Sequence, residues 1–263
     1  MKPAPVRYVR AETVDEALAA LATDDAKVLA GGQSLVPALN MRLVRPTTLV
    51  DINRVLDLDN VSRTDSALVV GAGVRQADAR LLDHPLLAEA LPHVGHFVTR
   101  NRGTVCGSLA HADAAGELPL CLVLLDGAVR VRSQRGEREI AAGDFFRTHF
   151  TTALEQGELV LESVWPLPDD GWGYAFCELA QRHGDYALCA AAAAARGDEL
   201  RVAVGAVTDR PTVLEVDGGD PGRSAADQVE PWGNVHASGE YLRHVVRVLV
   251  DRTVALARER AAA

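Results

Sequence analysis

The sequence predicts an α+β protein assembled from several small subdomains, and three observations point there. Helical and strand-like runs interrupt one another irregularly, without the strict β-α alternation of a doubly wound sheet. A polar turn, Asp169-Asp170-Gly171, follows Pro166 and Pro168 and separates residues 1–168 from residues 169–263. The chain then closes on one long amphipathic helix.

Taken in order, Thr13 and Glu16 form the T-x-x-E pattern of a capping box, and Val14, Leu18 and Leu21 share the face of the first helix. A strand at 27–30 runs into Gly31-Gly32-Gln33-Ser34, and a helix is expected from Val36 to about Leu43, stopped by Pro46. Residues 48–52 read as a buried strand, and a second subdomain is expected to begin near residue 56. It should contain a strand at 67–71, two short helices between Val74 and Ala90, and a turn-rich loop at 101–108. An apolar helix at about 115–125 and strands at 128–132 and 159–165 complete it. Beyond the boundary, strand-like runs at 174–179, 186–195 and 200–207 precede a Gly- and Asp-rich loop at 217–222. The final helix spans about 239–262, with Tyr241, Leu242, Val245, Val246 and Leu249 as its apolar stripe.

With 48% hydrophobic and 24% charged residues over 263 positions, the chain can bury a sizeable core. Its net charge of -9 opposes binding to nucleic-acid phosphates. Cys106, Cys121, Cys177 and Cys189 form no C-x-x-C pair, so no zinc or iron–sulfur ligation and no metal site is expected on this chain. The opening MKPAPVRYVRAE lacks an apolar stretch and no run reaches bilayer length, which reads as a cytoplasmic protein with reduced thiols.

Two segments carry the chemistry. Leu29-Ala30-Gly31-Gly32-Gln33-Ser34-Leu35 leads a strand through glycines into a helix, where backbone can approach a ligand and free N–H groups attract a phosphate or diphosphate. A tight turn needing positive φ explains the glycines equally well. Thr104-Val105-Cys106-Gly107-Ser108-Leu109-Ala110-His111-Ala112-Asp113 offers hydroxyls and small residues, and Glu117 follows within reach of a ribose hydroxyl. Here the plainer alternative is a polar loop whose Asp113 caps the next helix. His93 and His96 have no identifiable carboxylate partner, and His111 reads as a polar loop residue. Trp165, Trp172 and Trp232 read as packing or interface residues.

Together the order A-G-G-Q-S-L, then T-x-x-G-S-L-A-H-A-D with Glu117, resembles the flavoprotein subunit of the xanthine dehydrogenase and carbon monoxide dehydrogenase family. Three further segments resemble that family in the same order: Tyr8 to Ala17, the run Glu178 to Ala187, and Ser238 to His244. The resemblance implies a PCMH-type FAD-binding region of two α+β subdomains, about 1–55 and 56–168, followed by a C-terminal domain of a small sheet and helices at 169–263. It implies that Ala30, Gly31, Gly32, Gln33, Ser34 and Leu35 hold the diphosphate of FAD from one side and Thr104, Cys106, Gly107 and Ser108 from the other. Asp113 and Glu117 would complete the site, Glu117 at the adenosine ribose. Leu161 matches a strand position whose backbone meets the flavin or adenine, and Tyr186 a place near the isoalloxazine.

The chain departs from the family pattern at Cys106, where a glycine is usual, at Ala114, where a proline is usual, and at Cys177, near which some relatives carry a lysine. A side chain at Cys106 would crowd the phosphate loop if that position needed positive φ. Gln33, with no histidine or cysteine beside it, implies non-covalent FAD. No catalytic acid–base group is expected, since the cofactor would carry the redox chemistry. The resemblance further implies an electron-transfer subunit, with the molybdenum cofactor on a large subunit and [2Fe-2S] clusters on a small subunit, assembled as a dimer of heterotrimers. Two other readings remain: a self-contained oxidase of the vanillyl-alcohol oxidase type, and a protein that keeps the fold without FAD.

Overall fold

The computed structural model describes residues 2–167 and 169–262; Pro168, at the boundary drawn from the sequence, lies outside them. The α+β expectation holds. The first subdomain is a three-stranded parallel sheet of β1 (Arg7–Arg10), β2 (Ala26–Leu29) and β3 (Thr48–Asp51) in the order β1-β3-β2. Helix α1 (Val14–Leu21) crosses from β1 to β2 and buries Ala17, Leu18 and Leu21. Its start is fixed as the capping pattern predicts, with the Thr13 hydroxyl accepting from the Glu16 N–H at 3.2 Å. Helix α2 (Leu35–Asn40) connects β2 to β3 and ends earlier than the proline alone required, because Arg42 adopts φ +58°.

The second subdomain is a five-stranded antiparallel sheet in the order β4-β5-β10-β6-β7. Its strands are β4 (Val61–Arg63), β5 (Ala67–Gly71), β6 (Ala128–Ser133), β7 (Gly136–Ala141) and β10 (Leu159–Pro166). A small hairpin of β8 (Phe146–Thr148) and β9 (Thr151–Thr152) lies between β7 and β10 in the chain. The helices here are α3 (Pro85–Ala90), α4 (Phe97–Arg100), α5 (Val105–His111), α6 (Glu117–Leu124) and α7 (Ala142–Phe145). Helix α6 is buried along its whole length, which is why its residues are apolar all round and show no amphipathic stripe.

The C-terminal part is an antiparallel sheet of β11 (Gly173–Ala180), β12 (Ala187–Arg196), β13 (Glu199–Gly205) and β14 (Thr212–Leu214), with α8 (Pro221–Asp227) and α9 (Gly239–Ala261). Strand β12 runs through six consecutive alanines, Ala190–Ala195. Alternate side chains point to opposite faces. Ala190, Ala192 and Ala194 therefore join the large core that includes α6, while Ala191, Ala193 and Ala195 join a second core under α9. Methyl groups alone let backbone layers approach on both sides, and the same closeness leaves no room for a Cβ on Gly173 against the end of α9. Among the described residues no helix is long and apolar enough to cross a membrane.

Candidate functional site

The first glycine segment forms the link between β2 and α2. Gly32 sits at φ +74°, so this glycine is required by backbone conformation. Gly31 is required by space: a Cβ there would run into the carbonyl of Arg102 and the Cα of Gly103. The N–H groups of Gly32, Gln33, Ser34 and Leu35 have no acceptor among the described residues. The Gln33 amide turns back to the Gly31 carbonyl at 3.5 Å, while Ala30, Ser34 and Leu35 are half-buried.

The second segment is a helix where a loop was expected. Thr104 caps α5, its hydroxyl accepting from the Gly107 N–H at 3.1 Å. Cys106 lies in the first turn with ordinary helical backbone, so the feared positive-φ strain does not arise. Its side chain is 2% exposed and the thiol points into the core, with the Val70 carbonyl at 3.4 Å and the Ser163 hydroxyl at 3.5 Å as alternative acceptors of its one proton. Burial pushes that thiol up to about 12. Only the Cys106 backbone N–H, without an acceptor among the described residues, is left for a ligand. Gly107 has Ala30 as a neighbour, a Cβ on the former lying 4.0 Å from that of the latter. The two segments therefore meet.

They are held together by residues that no motif singled out. Arg75 donates to the Arg102 carbonyl at 2.5 Å and to Asn53 Oδ1 at 2.6 Å. Asn53 Nδ2 in turn donates to the Ala30 carbonyl at 2.9 Å. Asn53 follows β3 at the carboxyl end of a parallel sheet, where ligands commonly bind, and that position is the one signal that could have found it. Desolvation lowers the pKa of Arg75. Gln76, 5% exposed, donates to the Ser108 hydroxyl at 2.7 Å.

After α5 the chain reverses through Ala112 in the left-handed region, φ +51°. Asp113 accepts from the Ala115 N–H at 2.9 Å, two residues ahead of α6, whose cap is Gly116. Glu117 opens α6 and is buried, which raises its carboxyl to about 7, with Glu178 and Asp113 adding repulsion and His93 opposing it. Tyr186 keeps its ring largely open to solvent while its hydroxyl faces Ser34; desolvation of that end and the charges of Asp113 and Glu117 raise its pKa. Glu117 and Tyr186, expected at opposite ends of a dinucleotide, thus lie within electrostatic reach of each other.

Leu161 belongs to the antiparallel sheet. It is the bulge residue of β10, between Val160 and Glu162, and its carbonyl accepts from Ala72 at 2.9 Å. A shallow hollow of about 510 Å³ opens there, with Thr13, Leu58 and Arg132 also on its wall. His93, for which the sequence suggested no acidic partner, binds Glu178 at 3.0 Å. His111 ends α5, stacked 4.8 Å from Phe150, and is not in a loop. Trp165 is fully buried, whereas Trp232 is 87% exposed.

This geometry suits an elongated anion. Two backbone segments face one another, several N–H groups are free, and the facing positions lack room for side chains. A family model described as the FAD-binding domain in molybdopterin dehydrogenase matches residues 4–168. The 6-hydroxypseudooxynicotine dehydrogenase complex subunit alpha of Paenarthrobacter nicotinovorans is 40% identical, covering 99% of this chain and 97% of that protein. The nicotine 6-hydroxylase medium subunit of the same organism is 36% identical over 97% of this chain and 98% of its own length. In structure, a chain of quinoline 2-oxidoreductase from Pseudomonas putida 86 superposes with a TM-score of 0.92 and 34% identity, covering 100% of both chains. The loops, their spacing and these likenesses lead to one assignment: the chain belongs to the FAD-binding medium subunits of the molybdenum hydroxylase family.

Proposed function

We propose that this chain is the electron-transfer subunit of a three-component molybdenum hydroxylase. The observation that carries the reading is the pair of glycine segments, Ala30–Leu35 and Thr104–Ser108, fastened face to face by Asn53 and Arg75 with unpaired N–H groups between them. When bound, FAD supplies the electron relay between [2Fe-2S] clusters on a partner chain and an external acceptor. This chain's own part is to bind and orient. Gly31, Gly32 and Gly107 give backbone access to the diphosphate, Ser34 and Ser108 offer hydroxyls, and Leu161 marks the adenine end. Asp113, Glu117 and Tyr186 form the polar wall at the opposite, isoalloxazine end, so that Glu117 is reassigned there from the adenosine ribose.

Gln33 in the first loop, with no histidine or cysteine beside it, supports non-covalent binding. Acid precipitation should release the flavin into the supernatant, with the mass of FAD; colour retained in the pellet would refute this. Relatives named as medium subunits and medium chains support placing the molybdenum cofactor and the iron–sulfur clusters on separate large and small subunits. The four free cysteines support a reducing, cytoplasmic setting. The assembly we propose is a dimer of heterotrimers. Co-expression with neighbouring open reading frames, followed by size exclusion and metal analysis, should give co-elution of molybdenum, iron and FAD. A metal-free monomer that oxidises a small alcohol or amine with oxygen would overturn the assignment.

A further inference from the structure

Gln76 follows Arg75 directly, and its backbone N–H donates to the Gly103 carbonyl at 2.9 Å, so its side chain is delivered under the second glycine segment. There Nε2 donates to the Ser108 hydroxyl at 2.7 Å and to the Thr104 carbonyl at 3.4 Å. A carbonyl can only accept, so Thr104 dictates which way the amide is turned. Oε1 is left buried with no hydrogen-bond partner among the described residues, pressed against Gly103, where a Cβ would strike it. An unpaired buried oxygen is costly, and it persists here because rotating the amide would set Oε1 against the Thr104 carbonyl. The consequence falls on Ser108. A hydroxyl that accepts from Gln76 has its own proton to give elsewhere, and Ser108 is half-buried one residue beyond Gly107.

We propose that Gln76 is a positioning residue that fixes the Ser108 hydroxyl as a hydrogen-bond donor toward the space between the two segments, and so makes that segment selective for an anionic diphosphate oxygen. The proposal rests on the reading that these segments hold the diphosphate of FAD. Gln76→Leu removes the amide donor without adding charge. Gln76→Glu inverts the polarity: an ionised carboxyl accepts the Ser108 proton and turns lone pairs toward the ligand, whereas a neutral carboxyl donates again.

The test is FAD titration of the full-length chain, stripped of flavin, for wild type, Gln76→Leu, Gln76→Glu, Ser108→Ala and the double variant Gln76→Leu/Ser108→Ala. Each of Gln76→Leu and Ser108→Ala should weaken FAD about tenfold, and the double variant should be no weaker than either. Gln76→Glu should bind worst at pH 8 and recover as the pH falls to 6, while wild type stays level. Additive losses in the double variant, or a deficit in Gln76→Glu that ignores pH, overturn the proposal while leaving FAD binding intact. If Gln76→Leu does not fold, the pH series of Gln76→Glu decides. A wild-type chain that takes up no FAD overturns the functional reading and this proposal with it.

Discussion

Arg75 Nη2 meets Asn53 Oδ1 at 2.6 Å, and this one contact joins two subdomains, since Asn53 follows the last strand of the parallel sheet and Arg75 follows β5 of the antiparallel one. Each partner also grips one glycine segment through a carbonyl, Ala30 on one side and Arg102 on the other. Asn53→Ala should loosen both segments. A hydrogen bond to a charged group contributes about 1.5–3 kcal/mol. FAD affinity should therefore fall on the order of 10- to 100-fold, with a matching loss of thermal stability. Calorimetric titration with FAD measures the first; wild-type affinity in a folded variant would show that the contact does not shape the site.

Gly31→Ala tests the other source of closeness. The added methyl would meet the Arg102 carbonyl, and backbone yields less readily than a side-chain tip. Overpacking of this kind costs about 1–3 kcal/mol. The variant should purify with little flavin, as read from its visible absorption relative to its protein absorption. Full flavin content would mean the segments need not touch.

Cys106→Gly should leave FAD affinity unchanged, because its thiol is turned into the core against Val70 and Ser163. It should lower stability by about 1 kcal/mol for glycine in a helix, and further for the lost thiol packing. With its thiol pushed up to about 12, Cys106 should resist alkylation at pH 8 until the chain unfolds. A marked loss of FAD from a stable variant would show that the thiol contributes to the site after all.

Acid–base behaviour has a defined sign. The Glu178 carboxylate raises His93 above its ordinary 6.5, so folding gains from protonation there: the gain is complete below 6.5 and disappears as the pH rises through the raised value. Glu117, lifted by burial from 4.5 to about 7, acts in the same direction, with stability falling between those two values. Melting temperatures should therefore decline as the pH rises from about 4.5 through neutrality. Glu117→Gln should flatten the lower window and Glu178→Gln the upper one. An unchanged pH profile in both variants would exclude these groups as its origin.

The sequence made legible whatever local patterning controls. The capping pattern at Thr13, the strand-like alanine run and the α9 stripe of Leu242, Val245, Val246 and Leu249 lie where their spacing placed them, while Tyr241, expected in that stripe, is 50% exposed. Strand β7, by contrast, reads GEREIA with only Ile140 buried, and so polar a pattern carries no mark of a sheet-edge strand. Helix α8 opens on Pro221 inside what read as a Gly- and Asp-rich loop. The glycine segments were visible as motifs, but Asn53, Arg75 and Gln76 were not, because their partners lie 22 to 32 positions away and no periodicity encodes such contacts. Whether Cys106 would crowd the loop was open for a related reason: which way a side chain points depends on whether a helix has already begun.

Six alanines in a row also set a tolerance. Strand β12 works as a gauge block between α9 on one side and α6 on the other, and its thickness is that of two methyl layers. Glu117 rides on the first turn of α6, and Ala114, just ahead of it, takes a hydrogen bond from Ala206, directly after β13, at 2.7 Å. The acidic wall proposed for the site is therefore referenced to a sheet whose inner strand, β12, carries almost no polar side chains. Enlarging Ala192 would shift that wall without touching any residue in it, so the permitted variation at such buried, featureless positions is a matter of alignment as much as of packing.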